Sequence, residues 1–340
     1  MAKNAADKNP SVIFTRPNEV VVEGRDVPAP KDDELLIRTV RSLISTGTEL
    51  THLSGESPPG SVWDKITDYP FVPGYCNVGE VVEVGGCVDR EWIGRRVATY
   101  GGHAMYVTSG VAGARVIHRD IPHEQAAFFT MAEITMNGVR RGGVQWGESV
   151  AVYGLGILGQ LAVRLCRIAG ARPVFGIDTA DSRLAFLPDD TSIVPLNPQK
   201  QDAVAVVERA TGGRKADVVF EVTGIGTVIP EEFKVLRRQG RLVMLSSPRH
   251  VTQFDFHDLC NSPSFTIIGA HNLSHPQHET PYQQWTNHRH AELFFDLAAD
   301  GELDVARLIS HRIPYSEAPG AYQMLLQDRS QAMGVVLEWS

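Results

Sequence analysis

The chain is poor in the features that would cross-link it, anchor it or let it grip a polyanion. Only four cysteines occur in 340 residues, at Cys76, Cys87, Cys166 and Cys260. They are widely spaced and form no C-x-x-C pair, which excludes a disulfide framework and a cysteine-rich zinc lobe. Cys87, Cys166 and Cys260 are read as reduced thiols. Positive charge is also scarce: the formal net charge is -8 and the pI about 5.8. Such a surface offers no footprint for nucleic acid or an anionic membrane. No apolar run approaches the roughly 20 residues that span a bilayer. Met1–Pro10 is polar and lacks the apolar core of a signal peptide, so a cytoplasmic location is expected. Internal repeats and low-complexity tracts are missing as well.

What is present is ordinary globular material. Hydrophobic residues make up 43% and charged residues 21%, and the length suits roughly two domains. The first third is strand-rich: Ser11–Phe14, Glu34–Ser42, Gly79–Val84 and Arg95–Tyr100 carry β-branched residues between Gly and Pro punctuation. The long loop Thr51–Pro73 points to an irregular barrel with functional loops. After Pro122 the pattern changes. A helix over His123–Arg141 is followed by strand Ser149–Tyr153, a glycine loop, and a helix to about Ala169. Strands at Pro173–Ile177, Ala216–Val222, Arg241–Leu245 and Ser264–Gly269 follow. This alternation predicts a parallel sheet with helices on both faces. From His271 the chain turns loop-like, then closes with a helix over Ala291–Ala299 and a strand over Gly334–Trp339.

The loop Gly154-Leu155-Gly156-Ile157-Leu158-Gly159 has the G-x-G-x-x-G form, with a strand before it and a helix after it. Glycines permit a tight turn and close backbone approach, and the helix N-terminus offers N–H groups and partial positive charge to a pyrophosphate. Asp178 ends the next strand, 24 residues beyond Gly154, where an acid binds adenosine ribose hydroxyls and repels the extra phosphate of NADP. No basic residue follows directly, so NAD(H) is the expected cofactor. Arg183, one turn on, tempers that preference. Thr223, after the Ala216–Val222 strand, is a further cofactor-binding candidate. The chain has no Tyr-x-x-x-Lys pair, so the proton-transfer device of the short-chain dehydrogenases is not supported.

Several segments resemble the medium-chain dehydrogenase/reductase superfamily, the alcohol-dehydrogenase-like proteins. Phe71-Val72-Pro73-Gly74-Tyr75-Cys76-Asn77-Val78-Gly79-Glu80-Val81-Val82-Glu83-Val84-Gly85 is similar to its P-G-H-E-x-x-G-x-V-x-x-V-G segment. Ser45-Thr46-Gly47-Thr48-Glu49 resembles C-G-T-D, and Gly101-Gly102-His103-Ala104-Met105-Tyr106-Val107 resembles G-x-x-A-E-Y. The resemblance runs from about Val12 to Leu337. It implies an α/β protein: a GroES-like β-rich catalytic domain (residues 1–122 and 271–340) with a Rossmann doubly wound parallel-sheet domain (123–270) inserted. It also implies a homodimer or homotetramer, paired along Ser264–Gly269. Ser42–Glu49 looks most like the threonine-dehydrogenase-like or bacteriochlorophyllide-dehydrogenase-like subgroup.

The departures bear on chemistry. Where zinc-dependent relatives place Cys, His and Cys ligands, the resemblance aligns Thr46, Tyr75 and Met131, and the Glu of G-H-E is Cys76. Thr and Met are poor zinc ligands and Tyr is rarely one, so no zinc is expected. Hydrogen-bonding side chains must then stabilise the developing alkoxide. Tyr75 is the first candidate proton donor, set against a hydroxyl that merely fills the former metal cavity. Thr46 shares that position. Glu49 matches an acid that in relatives stands behind the metal ligands, and the resemblance implies an orienting role for it. Glu133, an acid in the apolar stretch Ala126–Ile134, is either a base with a raised pKa or a residue of an exposed or salt-bridged face. His103, Cys76 and His271 are substrate-binding candidates, with ordinary structural or surface histidines as the other reading. Histidines 271, 275, 278, 288 and 290 cluster, but Pro276 and Pro281 break any helix that would align them for metal.

The expected activity is zinc-independent interconversion of a secondary alcohol and a ketone on a polar small molecule such as a cyclitol, sugar derivative or natural-product intermediate. Reduction of an activated C=C bond, as in quinone and enoyl reductases, is the alternative, and a nucleotide-binding protein without catalysis is a third.

Overall fold

The computed structural model describes residues 8–340. Residues 1–7 of the polar leading stretch lie outside it. The chain divides into two compact units, one holding the chain up to Thr130 together with Ala291–Ser340, the other Met131–His290. The expected changeovers were 122/123 and 270/271.

The second unit is a six-stranded sheet. Its strands are β8 (Val150–Tyr153), β9 (Val174–Ile177), β10 (Ile193–Leu196), β11 (Ala216–Glu221), β12 (Leu236–Met244) and β13 (Thr266–Gly269), in spatial order β10-β9-β8-β11-β12-β13. Every pairing is parallel. The sheet reverses direction of growth between β8 and β11, the switch point at which ligands bind beyond the carboxyl ends of the strands. β8 and β9 are buried along their whole length, which is why they read as unbroken apolar runs rather than alternating ones. Phe175, Val219, Phe233 and Leu242 lie in the core beneath one face. β10, with Pro195 within it, was not anticipated. β12 begins earlier than expected, with Gln239 in the left-handed region at φ 59°.

The first unit is β-rich. β1 (Lys8–Arg16) and β2 (Glu19–Asp26) form an antiparallel pair. β3 (Glu34–Leu43), β4 (Asn77–Val84), β5 (Arg96–Thr99), β6 (Tyr106–Gly110), β7 (Arg115–Val116), β14 (Ile309–Pro314) and β15 (Gly334–Glu338) form a seven-stranded sheet, in order β14-β15-β3-β4-β5-β7, with β6 on β3. β15 pairs with β3, so residues near 40 and near 337 share one sheet. Phe14 meets Tyr322 edge-on at 5.0 Å in the core of this unit. The expected helix over His123–Arg141 is two, His123–Ala126 and Phe129–Arg141; the first stops where the Ala127 amide caps back onto the carbonyls of Gln125 and His123. The closing helix starts at Asn287 rather than Ala291. Among the described residues, no helix is long and apolar enough to cross a membrane.

Candidate active site

In the α/β unit, the glycine loop is built for close approach. Gly154 has φ 88°, and a Cβ there would lie 2.9 Å from the Thr223 amide nitrogen and the Val222 carbonyl. A Cβ on Gly159 would stand 1.8 Å from the Gly154 carbonyl oxygen, so helix and loop meet only through glycine. The Ile157–Ile168 helix starts at Gly156 with no side chain capping it, leaving its first N–H groups to an incoming anion. Ile157 is buried and Leu158 half-buried on its first turn.

Asp178 is nearly buried and already engaged: Oδ2 accepts from the Leu155 amide at 2.7 Å and Oδ1 from the Ala180 amide at 2.8 Å. Arg183 Nη1 lies 3.5 Å from Oδ2. Each carboxylate oxygen accepts more than one bond, so these contacts aim the group without exhausting it. Sequence reasoning missed Glu221, at the carboxyl end of β11. Its Oε1 accepts from the Thr223 amide (2.7 Å), the Thr223 hydroxyl (2.7 Å) and the Gly224 amide (2.8 Å). Its Oε2 accepts from the Ser246 hydroxyl beyond β12. One carboxylate thus ties together two loops at the ligand-binding edge, and Thr223 sits in one of them. These residues fit a dinucleotide: a glycine cradle, a helix N-terminus and an acid at the end of the second strand.

In the β-rich unit, the polar residues of the Ser42–Glu49 stretch meet others from far along the chain. Glu49, in the first turn of the Thr48–Ser54 helix, turns inward and is 2% exposed. Oε1 accepts from the Ser45 amide at 2.8 Å. Oε2 accepts from the Tyr322 hydroxyl and faces His103 Nε2 at 3.1 Å. His103 Nδ1 meets the Ser42 hydroxyl at 2.8 Å, and Ser42 Oγ also accepts from Trp339 Nε1 at 2.9 Å. The Ser42 proton then has the His103 Nδ1 lone pair as its acceptor, so Nε2 carries the hydrogen and donates to Glu49. Glu49 therefore receives three donors, from Ser45, Tyr322 and His103.

Tyr75 lies beside this network. Its hydroxyl is 2.5 Å from Ser45 Oγ and 3.2 Å from Thr48 Oγ1, and its carbonyl accepts from Thr130 Oγ1 at 2.9 Å. Burial pushes the phenol well above its ordinary value, the neighbouring Cys76 adds to the rise, and hydrogen bonding with Ser45 and Thr48 opposes it. The phenol keeps its proton at neutral pH. The Tyr75 hydroxyl donates to Thr48 Oγ1, so Ser45 donates to Tyr75, and of the three hydroxyl protons the one on Thr48 is left for an acceptor outside the trio. Ser45 and Thr48 were not anticipated; the hydroxyl-rich run from Ser42 to Thr48 was the signal that carried them.

The other anticipated residues are placed as follows. Thr46 is half-buried between Ser45 and Gly47. Cys76 is wholly buried at the entry to β4, which removes it from direct contact with a solvent-borne substrate. His103 is fully buried and both ring nitrogens are taken, which removes it from direct contact with a substrate. Gly74, at φ 102°, is glycine because a Cβ there would sit 2.8 Å from that ring. His271 is exposed beyond β13, its Nδ1 accepting from the Leu273 amide at 3.2 Å. Glu133 is fully buried in the α/β unit, which rules out the exposed-face reading. As a zinc site the first cluster does not fit. It offers hydroxyls, a carboxylate already holding three donors and an imidazole with no free nitrogen, and among the described residues no three His, Cys, Asp or Glu side chains converge on a point.

The family model for zinc-binding dehydrogenases matches residues 158–287. Sorbitol dehydrogenase 1 of Saccharomyces cerevisiae is 24% identical over 93% of this chain and 94% of its own. D-guloside 3-dehydrogenase of Escherichia coli is 24% identical over 95% of this chain and 99% of its own. The chain belongs to the medium-chain dehydrogenase/reductase superfamily. Solved structures agree on the fold of this oxidoreductase superfamily. Galactitol-1-phosphate dehydrogenase from Escherichia coli matches with a TM-score of 0.82 at 18% identity, covering 97% of this chain and 99% of that one. An alcohol dehydrogenase from Escherichia coli solved with NADH matches at 0.81 and 16% identity, covering 98% and 99%.

Proposed function

We propose that this chain is an NAD(H)-dependent, zinc-independent oxidoreductase that interconverts a secondary alcohol and a ketone on a polyhydroxylated small molecule. The surplus proton of the Ser45–Tyr75–Thr48 trio carries this reading. Reduction of a ketone creates an alkoxide that must be protonated, and a positioned hydroxyl whose proton has no internal use supplies that need. The Tyr75 phenol, pushed up by burial, stays protonated near neutral pH, so the trio meets a developing alkoxide with all its hydroxyl donors in place. Glu49 positions the trio by holding the Ser45 amide.

Gly154, Gly156, Gly159, Asp178 and Thr223 would hold the dinucleotide, which, when bound, supplies or accepts the hydride. Asp178 supports NAD(H) over NADP(H), because a carboxylate repels a 2′-phosphate. The polyhydroxylated substrate is supported by relatives named for sorbitol, a guloside and galactonate. A cytoplasmic site of action and a homodimer or homotetramer complete the proposal.

Two measurements test it. Metal-stripped protein titrated with NADH and NADPH is expected to bind NADH more tightly; the reverse order would overturn the assignment of Asp178. In Tyr75→Phe, ketone reduction is expected to fall by about 10²–10⁴-fold with NADH affinity unchanged. Full activity in that variant would remove Tyr75 from the chemistry.

A further inference from the structure

We propose that Arg140, Trp285 and Arg289 form a binding site for the oxyanion group, carboxylate or phosphate, of a small ligand. The Arg140 guanidinium carbon lies 3.2 Å from the centre of the Trp285 ring and that of Arg289 lies 4.1 Å from it. Cation–π contact rewards each guanidinium singly, but two like charges on one indole repel each other. Among the described residues, the carboxylate in ion-pair reach of this pair is Glu279, 3.9 Å from Arg289 and itself 59% exposed. Burial, then the charge of Arg289, drive the pKa of Arg140 down to about 10. A partly desolvated cation pair without a matching anion gains from an oxyanion, which a planar guanidinium grips through paired N–H donors.

The surroundings hold Arg140 in place without adding charge. Its Nε donates to His290 Nε2 at 3.0 Å. His290 Nδ1 faces His275 Nε2 at 2.8 Å, and His275 Nδ1 faces the Asn272 carbonyl at 2.7 Å. Since His290 Nε2 accepts, Nδ1 bears the hydrogen, and the bonds run in one direction from Arg140 to Asn272. His290 is fully buried, and desolvation with the charges of His275, Arg140 and Arg289 lowers its pKa to about 3. It stays neutral and serves as an acceptor that orients the guanidinium. Arg140 remains exposed on its outer side, and Trp285 and Arg289 are half-buried, so the cationic face is open.

Its place in the fold is that of a ligand site. On the same helix, a Cβ at Gly138 would lie 2.6 Å from Leu245, just beyond β12. Arg141 Nε donates to the carbonyl of Gly269, the end residue of β13, at 2.7 Å. The cluster thus stands at the carboxyl end of β12 and β13, the sheet edge that also carries the glycine loop and Glu221. The assignment does not depend on the reaction proposed above.

The test is calorimetric binding, without turnover, of gluconate, sorbitol 6-phosphate, sorbitol and inorganic phosphate to the full chain. Gluconate or sorbitol 6-phosphate is expected to bind about tenfold or more tightly than sorbitol, with Arg140→Gln and Arg289→Gln each abolishing that margin. Glu279→Gln, a change at an exposed loop residue, is expected to tighten anion binding by about two- to fivefold by removing the competing carboxylate. Whichever of gluconate and the phosphate ester binds more tightly identifies the source of the oxyanion. Equal affinity for sorbitol and both anions would overturn the proposal, as would a margin unchanged in Arg289→Gln and Glu279→Gln. Arg289 and Glu279 lie off the sheet core, so the test survives a folding defect in Arg140→Gln. Anion binding without alcohol oxidation would sink the proposed reaction and leave this site standing.

Discussion

Both units bury glutamates, and Glu49 and Glu232 are accommodated in opposite ways. Glu49, in the β-rich unit, is surrounded by donors: the Ser45 amide, the Tyr322 hydroxyl and His103 Nε2. Glu232, in the α/β unit, is 0% exposed, and neither carboxyl oxygen has a hydrogen-bond partner. Burial, reinforced by the charge of Glu221, pushes its pKa up to about 10. One acid is accommodated by hydrogen bonds, the other by keeping its proton. The contrast shows that a buried carboxyl is not one kind of object: its environment decides whether it organises a site or costs stability.

The largest effect is expected for Glu49→Ala. It orphans three buried donors at once, so a loss of about 3–5 kcal/mol in denaturant unfolding is expected; a loss below 1 kcal/mol would mean the network is loose. Glu232→Gln should act in the opposite sense. In the wild type the folded state keeps the Glu232 proton between the ordinary carboxyl value of 4.5 and about 10, whereas the unfolded chain releases it. Stability therefore falls as pH rises through that window. The glutamine variant escapes this fall and should be more stable by about 1–3 kcal/mol at pH 8, with the gain vanishing near pH 4.5. Equal stability at both pH values would show that water or a neighbour satisfies Glu232.

His290 gives the smallest effect and the reverse slope. Its pKa is lowered from 6.5 to about 3, so in that window the unfolded chain binds a proton that the folded chain refuses. The stabilisation is complete above 6.5 and drains as pH falls toward 3. A decline of about 1 kcal/mol between pH 6.5 and 5.5, absent in His290→Gln, is the expected signature in thermal unfolding.

Much of the α/β unit was legible because its signals are local. The glycine loop, its flanking strand and helix, and Asp178 lie between Val150 and Asp178 and obey backbone rules that packing cannot change. β10 escaped because Pro195 reads as a strand breaker, yet that strand pairs only with β9, at the sheet edge where a missing N–H costs little. The β-rich site was legible as candidates, not as an arrangement. Glu49 and Tyr75 were picked out, but the partner that defines Glu49, Tyr322, is 273 residues away, and no periodicity encodes such a contact. His103 was named as a substrate-binding candidate with a structural or surface role as the other reading; the nearby glycine at Gly74 was the trace of its burial, readable only once the ring's position is known. The pairing of His275 with His290 across Pro276 and Pro281 likewise needed the fold.

The bond from Trp339 Nε1 to Ser42 Oγ spans 297 residues, and it sets an order in time. A ribosome adding about 5–20 residues per second needs on the order of 15–60 s to travel that far. Through that interval the nascent Ser42–Glu49 segment has neither its indole nor the Tyr322 phenol, while Met131–His290 emerges whole and free to fold. The nucleotide cradle can thus be complete before Glu49 and Ser42 meet their C-terminal partners, and a chain cut short before Tyr322 would have a finished cradle beside a Glu49 that lacks one of its three donors.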